Sequence, residues 1–118
     1  MQVMMDLSDA LEKYIDLASD QMKLTAGNMA NVDTPGYRTQ GFDFAQEFSR
    51  ALQDGESMNA APRVVEMDGL ISKPDGNNVS MDREAMQLAK TQLQFRMGVA
   101  LLKGENDQMM SAIHLDGK

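Results

Sequence analysis

The groups that could carry covalent or acid–base chemistry are few in this 118-residue chain, and their spacing keeps them apart. There is a single histidine, His114, near the C-terminus, and there is no cysteine. A disulfide framework, a thiolate nucleophile and a cysteine zinc site are therefore excluded, and one histidine in a terminal helical turn cannot organise a Ser/His/Asp relay. Partial positive charge at that place suits the negative end of a helix dipole instead. Acids are more numerous, with Asp6, Asp9 and Glu12 in one cluster and Glu105 and Asp107 in another. Paired carboxylates can cleave a glycosidic bond when a shaped cleft separates them and raises the pKa of one. With 5% aromatic residues and no tryptophan, the chain lacks the material for such a cleft, so these clusters read as solvated faces. No Asp/Gly pattern fits a calcium loop. The sequence nominates no catalytic residue, metal ligand or cofactor, and the reading is of a protein that is not an enzyme.

Charge narrows the partners. The formal net charge is −7. Residues 1–31 hold five acids and two bases, residues 32–78 eight and four, and residues 79–118 five and five. There is no cluster of Lys and Arg of the kind that holds phosphates, so nucleic acid is excluded as a partner and acidic membranes are disfavoured. No apolar run approaches the roughly 20 residues needed to cross a bilayer. The start, Met1-Gln2-Val3-Met4-Met5-Asp6, lacks a basic flank followed by an apolar core, so export is expected without a cleaved signal peptide. Twelve methionines are many for this length. Their unbranched thioethers fill irregular contacts, and plain packing explains them better than a ligand groove.

Three segments follow from periodicity: an N-terminal helix plus turn over residues 1–38, a middle segment over 39–79 and a C-terminal helix over 80–118. In the first, Leu11, Ile15, Ala18, Met22, Thr25 and Met29 recur at steps of four and three, widened by Leu7, Tyr14, Leu17 and Leu24. Pro35 removes Thr34 from the α region and Gly36 can take the positive φ of a type II turn, so this helix must stop near Asn31 to Asp33. Asn28 and Asn31 sit where frayed backbone groups need partners.

In the last segment, Met81, Leu88, Phe95, Leu102 and Met109 are seven apart, and Ala85, Gln92, Val99, Asn106 and Ile113 form an interleaved set. Together they predict a heptad seam, with Gln92 and Asn106 as polar interruptions that fix register. Ser80 is the expected N-cap, and Gly98 and Gly104 predict close backbone approach or a bend. The middle segment suggests a short helix around Phe44, Phe48 and Leu52. Residues 62–67 and 70–73 read as β fragments joined in a hairpin through Asp68-Gly69. The fold class is thus mainly α, with two long terminal helices in a coiled-coil-like pair and a small irregular or β-hairpin middle.

Two ordered motifs carry a resemblance. The stretch Asn28-Met29-Ala30-Asn31-Val32-Asp33-Thr34-Pro35-Gly36-Tyr37 resembles the N-terminal signature of the flagellar rod, hook and hook–filament-junction family of axial proteins. Gly76-Asn77-Asn78-Val79-Ser80-Met81-Asp82-Arg83-Glu84, followed by Leu88-Ala89-Lys90, Phe95-Arg96 and Leu101-Leu102-Lys103-Gly104, is similar to the tail of its proximal rod members. The resemblance implies a structural subunit of the basal-body rod, crossing the periplasm and assembling helically to transmit torque. Its partners would be copies of itself, other flagellar rod proteins, the basal-body ring or export-gate adaptor components and the type III export apparatus, with no small-molecule substrate. Subunit contacts are expected at Leu11, Ile15, Ala18, Met22, Met29, Leu88, Phe95, Val99, Leu102, Met109 and Ile113. Asn28, Asn31, Thr34, Pro35, Gly36 and Tyr37 are expected to set the outward turn. One departure is that the family often carries basic residues in the first helix, where this chain has Asp16, Asp20 and only Lys13 and Lys23. The alternative is a soluble helical adaptor or export chaperone that binds a partner helix in a methionine-rich groove.

Two long helices with a thin middle order many residues while burying little surface, so their remaining apolar faces require neighbours. The dilute purified chain is therefore expected to show less helix by circular dichroism than the assembled one. Full helix content with a cooperative melt at low concentration would refute this.

Overall fold

The computed structural model describes residues 6–55 and 59–116. Helix α1 (Leu7–Ala30) leads into strand β1 (Gln40–Gly41), helix α2 (Phe44–Gln53), strand β2 (Val65–Glu66) and helix α3 (Met81–Asp116). The molecule is an elongated body of 70 × 31 × 17 Å. The α1 and α3 helices pack antiparallel, with Ser8 Oγ donating to Glu105 at one end and Asn28 Nδ2 donating to Glu84 at the other. Midway, Gly98 lets α1 come close: a Cβ there would lie 2.8 Å from Ile15 Cγ1 and 3.2 Å from Tyr14 Cδ1. Gly104 has no such neighbour, since nothing lies within 4 Å of a Cβ built on it.

Each helix start has its cap. Asp6 accepts from the Ser8 N–H at α1, and Asp43 accepts from the Gln46 N–H at α2. At α3, Ser80 Oγ accepts from the Arg83 N–H, as expected of that serine. The α2 helix leans its aromatic side on α1, where Tyr14 meets Phe44 and Phe48 edge-on at centroid distances of 5.1 and 5.4 Å. Its buried Glu47 pairs with Arg50 and also accepts from the Arg63 N–H, tying the return strand to the helix.

The seam between α1 and α3 is turned about one residue from the predicted one. On α3 Glu84, Thr91 and Gly98 are buried, and Leu88, Phe95, Leu102 and Glu105 are partly buried beside them, as are Arg83, Gln87 and Gln94. The predicted second set, Ala85, Gln92, Val99, Asn106 and Ile113, is exposed throughout, so Gln92 and Asn106 interrupt no seam here. On α1, Gln21 and Asn28 are buried where Met22 and Met29 are only partly so. Polar side chains can occupy the inner face because they find partners there: Gln21 donates to Thr25, and Thr91 donates to the Gln87 carbonyl.

The strand pair also has other partners than those predicted. Val65 faces Gly41 and Glu66 faces Gln40 in an antiparallel register. The Asp68-Gly69 bend is present, with Gly69 at φ +79°, but residues 70–73 do not fold back on 62–67. Their bonding goes elsewhere: the Lys73 N–H donates to the Asn77 carbonyl, and Ser72 Oγ accepts from Arg38.

Replacing Gly98 by Leu drives a side chain into Tyr14 and Ile15, and is expected to cost about 1–3 kcal/mol. Gly104→Ala, in open space, is expected to stabilise by about 1 kcal/mol. Thermal melting followed by circular dichroism reads both signs, and equal shifts for the two positions would contradict the close approach.

Candidate functional site

The turn that ends α1 is built in four steps. Asn31 caps its own helix, its Nδ2 donating to the Gly27 carbonyl at 2.7 Å. Its Oδ1 then accepts from Thr34 Oγ1, and its carbonyl accepts from the Thr34 N–H, bringing the chain to Pro35. The Tyr37 N–H donates back to the Thr34 carbonyl across Pro35-Gly36, with Gly36 at φ +75°. That is the predicted turn, and glycine is needed because an L side chain is strained at that φ.

A second loop, residues 72–78, closes over this turn. Asn77 is fully buried, and its amide donates to the Asn31 and Thr34 carbonyls at 2.9 and 2.8 Å while its Oδ1 accepts from the Val79 N–H. The Gly36 N–H donates to the Asp75 carbonyl. Gly76, at φ +87°, passes so near that a Cβ on it would sit 3.5 Å from Gly36 Cα. Asn78 accepts the Thr39 N–H on Oδ1 and the Thr39 hydroxyl on its carbonyl. Lys73 and Arg38 complete the clasp from outside, Lys73 donating to the Val32 carbonyl and Arg38 to the Gly76 carbonyl.

Asn28 joins the clasp to α3. It is wholly buried and uses both ends of its amide fully. Nδ2 donates to the Gln40 carbonyl at 2.9 Å and to Glu84 Oε1 at 2.6 Å, while Oδ1 accepts from the Gln40 N–H and the Tyr37 hydroxyl. The buried Glu84 carboxylate has its other oxygen on Arg83 at 2.6 Å. A buried charge is tolerable only when so bonded.

Of the predicted turn residues, Asn28, Asn31, Thr34, Pro35, Gly36 and Tyr37 all fall in this one construction. The roles of Asn77, Asn78 and Glu84 were missed, because Gly76-Asn77-Asn78 reads as a plain loop and Glu84 as a first-turn acid. The signal available was the pair of adjacent asparagines next to a glycine, a composition suited to bonding another loop's backbone.

The predicted contact residues divide by location. Ala18 is buried, and Leu11, Ile15, Met22, Met29, Leu88, Phe95 and Leu102 are partly buried within the molecule. Val99, Met109 and Ile113 lie in the open at 43, 52 and 57% exposure. No group of three or more metal-ligating side chains occurs among the described residues, and none of their helices is long and apolar enough to cross a membrane.

No protein-family model matches the chain. Individual relatives do. It is 31% identical to the flagellar basal body rod protein FlgB of Escherichia coli K12, over 93% of this chain and 97% of that protein. The FlgB of Shigella flexneri matches to the same degree, and that of Salmonella typhimurium is 28% identical over the same shares.

Replacing Asn28 by Leu keeps the side chain's bulk but strands the Gln40 backbone and a Glu84 oxygen, at about 1–3 kcal/mol for each buried group left unpaired. Hydrogen exchange should show the Gln40 amide losing protection while amides at the middle of α2 keep theirs. An unchanged Gln40 amide would refute the role given to Asn28.

Proposed function

The chain belongs to the family of flagellar basal body rod proteins FlgB, and from that premise we propose that it is a structural subunit of the rod, assembled helically and carrying torque through packing. It acts without catalysis, cofactor or small-molecule substrate. It leaves the cytoplasm through the flagellar type III export apparatus without a cleaved signal peptide and joins copies of itself, other rod proteins and basal-body ring or export-gate components in the periplasm.

One observation carries this reading: the helices turn polar side chains inward and leave apolar ones outside. Glu84, Thr91, Gln21 and Asn28 are buried, whereas Met86, Leu93, Met97, Leu101, Met109, Met110 and Ile113 are all more than half exposed. Exposed apolar surface of this extent on one helix is what a protein offers to neighbours. The interlocked turns supply the complementary property. They fix both long helices at one end through buried hydrogen bonds, so a load applied to α1 reaches α3 without passing through a free hinge. The predicted contact residues then fall into two duties. Leu88, Phe95, Leu102 and Ala18 stiffen the subunit, and Val99, Met109 and Ile113 meet the next one.

Val99→Asp and Ile113→Asp place a charge on exposed positions, so fold stability should change by no more than about 0.5 kcal/mol. Each is expected to abolish swimming, with circular dichroism unchanged. Normal swimming by both variants would overturn the interface assignment.

A further inference from the structure

The sequence holds four Asp-Gly pairs, at residues 54–55, 68–69, 75–76 and 116–117. In such a pair the backbone nitrogen of the glycine can attack the side-chain carboxyl of the aspartate, because no Cβ shields that nitrogen and the glycine backbone turns freely. Whether it does so depends on what holds the two groups, and the structure holds them in opposite ways at 75–76 and at 68–69.

At Asp75-Gly76 both reacting groups are occupied. The Gly76 N–H donates to the Lys73 carbonyl at 2.9 Å, and Asp75 Oδ1 accepts from the Asn77 N–H at 3.0 Å, which carries the carboxylate past the glycine to the following amide. The Asp75 carbonyl accepts from the Gly36 N–H, and Gly76 lies against Gly36. Ring closure at this pair must first break the clasp.

Asp68-Gly69 carries none of these restraints. Asp68, Gly69, Leu70 and Ile71 make no hydrogen bond and no ion pair among the described residues. Asp68 and Gly69 are exposed, nothing lies within 4 Å of a Cβ built on Gly69, and Ile71 is 93% exposed. Both feet of this arch are fixed. On one side the Met67 N–H donates to the Thr39 carbonyl, and on the other Ser72 Oγ accepts from Arg38 while the Lys73 N–H donates to the Asn77 carbonyl. Between them the backbone can rotate without breaking a bond, which is what local freedom means in physical terms.

We propose that Asp68-Gly69 is a site of spontaneous backbone modification, at which the aspartate isomerises to isoaspartate in the folded protein while Asp75-Gly76 is protected. The Gly69 nitrogen bonds to Asp68 Cγ of the carboxyl in its acid form, and the nitrogen's proton leaves with the carboxyl hydroxyl as water, giving a cyclic imide. Water then adds to either imide carbonyl. Opening at Cγ restores aspartate; opening at the original peptide carbon leaves the chain linked through Cγ and frees that carbon as a carboxylate. Composition and charge are unchanged, and the backbone is longer by one methylene. Because residues 68–71 bond to nothing, the arch takes up the extra atom and the β1–β2 pairing and the clasp persist. The modification changes how Ile71 is presented to a neighbour. This inference does not depend on the rod reading.

Ageing the purified full chain at neutral pH and physiological temperature tests it. Tryptic peptides are separated, isoaspartate is located by electron-transfer fragmentation, and its amount is measured by enzymatic carboxyl methylation with a labelled sulfonium methyl donor. Isoaspartate is expected to accumulate at least about tenfold faster at residue 68 than at residue 75, the ratio that one hydrogen bond to be broken before reaction accounts for. In the urea-unfolded chain the two rates should come within about threefold of each other, since the bonds that separate them are gone. Asp68→Glu, which cannot close the five-membered ring, should abolish the signal from its peptide. The aged chain should keep the melting temperature of the fresh one. Equal rates at 68 and 75 in the folded chain overturn the proposal, as does a ratio that survives in urea. A melting temperature that falls as isoaspartate accumulates overturns the role given to the arch.

Discussion

Asn28 has no contact with water, and both hydrogens and both lone-pair directions of its amide are engaged by three other residues, Tyr37, Gln40 and Glu84. It holds the exit of α1, the backbone of Gln40 and the first turn of α3 at a single point. The geometry downstream depends on this. With Gln40 bonded at both its N–H and its carbonyl, β1 is placed, and Val65–Glu66 has an edge to pair with. With Glu84 bonded, the axial position of α3 against α1 is set, and Gly98 arrives opposite Ile15. An amide is suited to such a point because it can donate and accept at once while carrying no net charge into the interior.

Burying polar groups between two helices has a consequence for what remains outside. A seam rich in asparagine, glutamine, threonine and glutamate gives less hydrophobic stabilisation per unit area than leucine would, yet it tolerates few alternative registers, because a slip leaves several groups unbonded. The apolar side chains excluded from this seam lie on the surface of α3. The single molecule is thus specific in how its helices meet and incomplete in how much surface it covers. Both properties suit a part whose stability is shared with its neighbours.

Much of this was legible in the residues. Pro35 and Gly36 located the end of α1 and the turn, since one fixes φ and the other takes a φ that side chains avoid. The Phe44, Phe48 and Leu52 spacing located α2, and Gly98 announced a close approach. The phase of the helix seam was misjudged because apolar periodicity identifies an amphipathic face only when apolar residues are the buried ones. Here Met22 and Met29 were favoured over Gln21 and Asn28, and Val99 over Gly98, by a rule that does not anticipate satisfied polar groups. The strand pairing was misjudged for another reason. Asp68-Gly69 makes its bend, but which strand Val65–Glu66 joins is set by contacts from Asn28 and the 72–78 loop, far away in sequence. Two-residue strands carry too little pattern of their own to reveal a partner.

The two long helices also differ in length. Ser8 lies level with Glu105, so α3 continues for about 15 Å past the level at which α1 begins at Leu7. In a stack of such parts the seams between successive pieces in one layer of helices do not fall at the same height as those in the other. A shaft laid like staggered brickwork has no transverse plane of weakness, and a twist at one end must shear intact helix before it can open a joint.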